Sequence, residues 1–216
     1  MSAVFVYLLN ILAKAVVSQL INEASINPKY AEPLGVVVAQ IFSLDENCFR
    51  GHALSDIFWA KYRAACPVLW GFYGSEKTGE GKAALGWGRV DGEFISAQEH
   101  YQRTIGLGAG FAAVTLRNFG KTTRRNPFPN WIFWKSVHKI VSIPVDELQD
   151  THFHLLASML RFSAERIAGF FGHMGLALLR NAIVDIPNRL PNNTSAPISS
   201  LKVLRALYET EKSIII

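Results

Sequence analysis

The stretch Ser96-Ala-Gln-Glu-His-Tyr-Gln-Arg-Thr-Ile-Gly-Leu-Gly-Ala-Gly-Phe-Ala-Ala-Val-Thr-Leu-Arg-Asn-Phe-Gly120 decides the fold class. Ser96-Ala97-Gln98-Glu99 is a capping box, in which the serine side chain caps the amide three residues on and the glutamate reaches back. The helix it opens is expected to run to about Phe119, with Gly120 as its stop. Its middle is apolar and small, so Gly106, Gly108 and Gly110 read as places where a neighbouring helix comes close. They do not form a dinucleotide loop: the spacing is G-x-G-x-G, Phe111 stands where the third glycine belongs, and no strand precedes them.

Outward from this helix the same logic repeats. A first helix is expected over about Ala3–Asn22. A second starts near Pro33, a third covers about Ser55–Ala65 and stops before Pro67, and Gly71–Gly81 is a loop. Asn130 can cap a helix to about Val141, and Thr151 one to about Phe171, ended by Gly172. Further helices follow over about Met174–Asp185 and Ile198–Lys212. No strand pattern stands out; Trp87–Phe94 reads as irregular or at most a short hairpin around Asp91-Gly92. Helices joined by short loops give an all-α chain, an α-helical solenoid or irregular helical bundle. Residues 1–191 form its body, and residues 192–216 a terminal linker and helix of the same domain.

Composition agrees. The chain has 216 residues, half of them apolar and 18% charged, which excludes a disordered chain and leaves ample material for a core. Cys48 and Cys66 are far apart and lack metal spacing, so a disulfide scaffold and a structural zinc are not expected. The net charge is +5. It is unevenly placed: no acid lies between Glu99 and Asp146, while Arg103, Arg117, Lys121, Arg124, Arg125, Lys135 and Lys139 give that segment +7. Such a field attracts RNA, inositol phosphates, acidic proteins or anionic lipid. The 103–139 segment therefore supports one alternative reading, an RNA-binding helical protein.

A second alternative is a membrane anchor through residues 3–21, whose length approaches a span. Asn10, Lys14 and Ser18, spaced i, i+4, i+8, make one polar stripe. A helix buried except along that stripe accounts for the pattern better than lipid does. The abrupt apolar start, Ala3-Val4-Phe5-Val6, predicts exposed apolar surface.

No catalytic constellation emerges, so no enzyme is expected. Gly120-Lys121-Thr122 lacks the P-loop's first glycine, since Thr115 holds that position. His152 and His154, two apart on a helix, point away from each other and should not share a metal. Asp146, Glu147 and Asp150 suit helix starts. Asn192 and Asn193 begin formal glycosylation sequons.

Three stretches carry a resemblance: Leu9-Asn10-Ile11-Leu12-Ala13-Lys14-Ala15-Val16-Val17; Ala60-Lys61 with Cys66-Pro67 and Gly86-Trp87; and Asn126-Pro127-Phe128-Pro129 with Trp134 and Thr151-His152-Phe153-His154. Their order and spacing, from about Met1 to Pro191, resemble the C-terminal helical domain of the Gle-one (GLFG-lethal) nuclear mRNA export factor family in its fungal form. Further helical sequence lies upstream in that family, so the chain reads as N-terminally truncated.

The resemblance implies a nuclear-pore-associated, HEAT-like α-helical solenoid domain, at the cytoplasmic face and in the cytoplasm. It implies binding and stimulation of a DEAD-box RNA helicase, with inositol hexakisphosphate as a tether. It also implies a phenylalanine-glycine nucleoporin and translation factors as partners, RNA only indirectly, and no membrane span. For the inositol phosphate site it points to Lys14, with Ser18 one turn on where a histidine can occur. It points also to Lys61 before Cys66-Pro67, with Arg63 partly replacing a basic pair that is Ala64 and Ala65 here.

Overall fold

The computed structural model describes residues 2–190 and 195–216; the two sequons at Asn192 and Asn193, and the Pro191 boundary, lie outside them. Ten α-helices carry the described residues: α1 Ala3–Gln19, α2 Ala31–Phe42, α3 Ser55–Ala65, α4 Gly79–Ala84, α5 Ala97–Thr115, α6 Trp131–Val141, α7 Asp150–Leu160, α8 Ala164–Arg180, α9 Ile186–Arg189 and α10 Ala196–Lys212. Two minimal antiparallel ladders accompany them. In one, β1 Cys48–Phe49 pairs with β2 His52–Ala53; in the other, β3 Arg89–Val90 pairs with β4 Glu93–Phe94. Each turns on a residue pair with positive φ, Arg50-Gly51 and Asp91-Gly92, the backbone that two-residue hairpins require. The chain is all-α apart from these.

Helix α5 is the axle. Its capping box forms as written, Ser96 Oγ accepting from the Glu99 amide and Glu99 Oε2 accepting from the Ser96 amide. From Gly106 to Leu116 every residue is buried. The three glycines explain how. A Cβ on Gly106 would stand 2.2 Å from the Leu20 carbonyl oxygen, and one on Gly108 would stand 2.0 Å from Ser158 Oγ. One on Gly110 would meet the Leu20 side chain and the Tyr62 hydroxyl. Neighbouring backbones thus press into α5 on different sides. α2 packs on α5, α5 on α7 and α7 on α10, a row of helices such as a solenoid builds. Against it Phe42, Phe58, Tyr62, Phe111 and Phe128 form an aromatic core of tilted and edge-to-face ring pairs.

Several boundaries differ from expectation, each for a local reason. α1 continues as a π-helical turn, Leu20–Ala24. α2 begins at Ala31, after a 3₁₀ turn that Pro28 opens with Asn27 Oδ1 accepting from the Lys29 amide, so Pro33 is not its first residue. α4 lies inside the stretch expected to be a loop, capped by Thr78. α5 stops at Thr115, short of Phe119, because the Arg117 side chain curls back and donates to the Ala113 carbonyl. Asn130 does not cap α6 through its side chain. Gln149, not Thr151, caps α7, in a reciprocal pair with His152. The single helix expected over 151–171 is interrupted after Leu160; α8 then starts at Ala164 and is kinked where Gly172 takes φ 55°.

Two helical runs, Ala3–Ala24 and Ala164–Arg189, have the length and apolar content to cross a membrane. Both lay one stripe on the core. For α1 and its extension that stripe is Leu9, Ala13, Val16, Val17, Leu20 and Ala24. The rest of α1 is wider than a polar stripe. Val4, Tyr7, Leu8 and Ile11 are exposed beside Lys14 and Ser18, so the helix is not buried everywhere else, and the apolar opening predicted from Ala3–Val6 extends to Ile11.

Candidate ligand-binding site

Lys14 and Ser18 are exposed on α1, on the same face one turn apart. Lys61 is half-buried on α3, and α1 packs against α3. Around the α3 axis, Ser55, Phe58 and Tyr62 face the core. Asp56 and Trp59 line one flank, against Trp70 and α6. Lys61 lies on the other flank with Ile57 and Ala65, the side left for α1. Neither Lys14 nor Lys61 is paired with an acid among the described residues. Two free ammonium groups on adjoining helices can receive a polyanion, with the Ser18 hydroxyl as a neutral donor.

Arg63 does not join them. Two residues on, a helix turns by roughly 200°, so Arg63 shares the Trp59 flank. There its guanidinium lies 5.0 Å over the Phe72 ring, on the side of Lys139. Ala64 and Ala65 contribute no charge to either flank.

The basic 103–139 segment does not present one face. Arg103 is half-buried beside Gly88, where burial lowers its pKa. Arg117, at the end of α5, bonds the Glu32 carboxylate at 2.6 Å and the Glu32 carbonyl at 3.2 Å, while Arg166 of α8 takes the other carboxylate oxygen. Burial by itself would raise the Glu32 pKa. The hydrogen bond and charge of Arg166, with the charge and hydrogen bond of Arg117, outweigh it and hold the carboxyl below its ordinary value. Lys139 Nζ donates to the Trp70 carbonyl at 2.6 Å. That leaves Lys121, Arg124, Arg125 and Lys135 as the segment's exposed cations, split between the loop after α5 and the face of α6. Lys121 follows a turn closed by Asn118 Oδ1 and precedes no helix, so its Gly-Lys-Thr cradles nothing.

The two histidines diverge. His152 Nδ1 accepts from the Gln149 amide inside the core, and His154 stacks on Tyr101 with ring centres 4.5 Å apart. Sequence reasoning missed the group that organises them, Glu76. Its Oε1 accepts from the Thr151 amide at 2.8 Å and from the Thr151 hydroxyl at 2.5 Å; its Oε2 accepts from Tyr101 at 2.7 Å. With that hydroxyl hydrogen committed, Thr151 Oγ1 accepts from His100 Nε2 at 2.9 Å, which fixes the tautomer. Burial, then the charge of Arg103, brings the His100 pKa down to about 3, and burial brings that of His152 down to about 4. The cluster anchors the 71–78 loop to α5 and α7. Nothing periodic marks Glu76 in the sequence, because its partners lie 25 and 75 positions away. Cys66 is buried and its thiol is pushed up to about 12 by burial, so it is unreactive.

This architecture, an all-α row of helices, is shared with solved structures. The chain aligns over 96% of its length, at TM-scores of 0.83 and 0.82 and 24% identity, with Saccharomyces cerevisiae Gle1 chains bound to IP6 and a variant C-terminal domain of Dbp5, covering 69% of each. The profile described as GLE1-like protein matches residues 1–183. The chain belongs to the GLE1-like family. It is 43% identical over 209 residues to the mRNA export factor GLE1 of Chaetomium thermophilum, and 25% identical over 212 residues to that of S. cerevisiae. It spans 39% and 38% of the length of those relatives.

Proposed function

We propose that this chain is the regulatory helical part of an mRNA export factor, one that binds inositol hexakisphosphate and, through it, stimulates the ATPase of a DEAD-box RNA helicase. The observation that carries the reading is its likeness, over nearly the whole chain, to Gle1 chains bound to Dbp5 and IP6, joined to its 43% identity with a GLE1 export factor. The chain itself is not the enzyme, and its role is to hold and bias the helicase. The work belongs at the cytoplasmic face of the nuclear pore, with a phenylalanine-glycine nucleoporin and translation factors as further partners.

Lys14 and Lys61 are the cations assigned to the ligand, with Ser18 as a neutral donor. A multiply charged anion needs several converging cations, since one exposed pair contributes only about 0–1 kcal/mol. With alanines at 64 and 65 and Arg63 on the far flank, the site in this chain is sparse, and weak binding is expected. RNA enters through the helicase. The burial of Arg103 and the structural bonds of Arg117 and Lys139 speak against a direct RNA-binding face, and the core stripe of α1 speaks against a membrane anchor.

The test is the ATPase rate of the cognate helicase with and without the chain, and with and without inositol hexakisphosphate. Stimulation that increases with the ligand is expected. No stimulation under any condition overturns the reading. Titration calorimetry on Lys14→Ala/Lys61→Ala should show the ligand's affinity falling about tenfold, and equal affinity would move it off these helices.

A further inference from the structure

On the flank of α3 away from Lys61, three tryptophans meet. Trp59 of α3 and Trp70 of the following 3₁₀ turn pack edge to face, their ring centres 5.7 Å apart. Trp131, the first residue of α6, is 58% exposed. Together with Asp56, Lys135 and Lys139 they line a cavity of about 250 Å³. That space is small for a whole ligand, which typically needs roughly 300–1,000 Å³. It suits one aromatic side chain or one base.

The floor is already satisfied, with Ser136 Oγ donating to the Leu69 carbonyl and Lys139 Nζ to the Trp70 carbonyl. The rim is not. Lys135 and Arg63 are both exposed and lie near Lys139, and neither has a carboxylate within ion-pair reach among the described residues. Their mutual repulsion is a field waiting for a counter-charge. Asp56 of α3 also lines the pocket, so the lining carboxylate belongs to the α3 wall and the lining lysines to the α6 wall.

We propose that this pocket docks an acidic peptide segment, which inserts one aromatic side chain among Trp59, Trp70 and Trp131 and sets its carboxylates against Lys135 and Arg63. The lone Asp56 decides against single-stranded RNA. A nucleotide chain carries a phosphate on both sides of each base, and one of the two would face that carboxylate, whereas a peptide can carry its acid on one side alone. Aromatic anchors in desolvated pockets are where interfaces concentrate their energy.

The test is fluorescence anisotropy on the full chain with a labelled ten-residue peptide holding one phenylalanine followed by four glutamates. Its affinity should fall about tenfold when the phenylalanine is replaced by alanine, and again when the glutamates are replaced by lysines. Trp131→Ala and Lys135→Glu, both at exposed positions, should each weaken binding by a similar factor while circular dichroism shows an unchanged melt. Lys14→Ala/Lys61→Ala should leave it unchanged, which separates this pocket from the inositol phosphate site. Equal binding by all peptides, no effect of Trp131→Ala and Lys135→Glu, or tighter binding of a uridine decamer than of the peptide, overturns the proposal.

Discussion

Helices α1 and α5 are nearly the same length and both are mostly apolar, yet they end up in opposite surroundings. α5 is buried all round from Gly106 to Leu116, with α2, α7 and the Leu20–Ala24 turn pressed into it. α1 gives one stripe to the core and leaves Val4, Tyr7, Leu8 and Ile11 in solvent, Tyr7 at 62% and Leu8 at 56% exposure. The difference lies in side-chain size. Glycines and alanines along α5 let backbones approach from several directions, so its remaining large residues are enclosed. α1 has bulky side chains on every face and only one face with a neighbour. Apolar content alone does not say how deeply a helix is buried.

The sharpest way to break this contrast is at the centre of α5. Phe111→Ala removes a fully buried ring that touches Trp59, Tyr62, Trp70 and Phe133. It should cost about 3–5 kcal/mol, read as a lowered midpoint in urea. A loss below 1 kcal/mol would mean that α5 is not the packing centre.

Acid should act next, at the N-terminal end of α5. His100 and His152 have folded-state pKa values of about 3 and about 4, below the ordinary 6.5. Between those limits the unfolded chain binds protons that the folded chain refuses, so stability rises with pH. It is complete above pH 6.5 and drains as the pH falls toward 4. A thermal midpoint that drops over this window, with a shallower slope in His100→Gln, is expected; a flat profile would contradict it.

At the other end of α5, Glu32→Ala strips Arg117 and Arg166 of their shared carboxylate. These groups are partly solvated, so a modest loss of about 1 kcal/mol is expected, measured by chemical unfolding. Because the Glu32 pKa is depressed, its contribution is present above the ordinary carboxylate range and lost as the pH falls through the folded value. Loss of the acid-dependent component below pH 4.5 in the variant would confirm the assignment. The smallest effect belongs to α1. Leu8→Ser/Ile11→Ser should change monomer stability by no more than about 0.5 kcal/mol. A large loss by the same unfolding measurement would show that the exposed face is packed after all.

Much was legible in the residues themselves, where the causes are local. Ser96 and Glu99 are three apart and cap α5 as their spacing demands; Pro67 ends α3 at Ala65; Asp91-Gly92 makes a hairpin; Gly172 breaks α8. The family followed from short stretches whose order along the chain is itself sequence information. For the site, Lys14 and Ser18 share a face because residues four apart on a helix always do, and Lys61 and Arg63 part for the same reason, which the linear reading overlooked.

What only the tertiary structure decided was the fate of charge. The acid-free run from Arg103 to Lys139 reads as one basic surface because the groups its side chains bond are far away along the chain. Glu32 lies 85 positions from Arg117, and the Trp70 carbonyl 69 from Lys139. Folding brought those partners in and left Arg63, Lys135 and Lys139 facing one another beside three tryptophans. Periodicity is a local property that the chain carries in any fold, whereas electrostatic pairing depends on distances that exist only once helices remote in sequence have packed together.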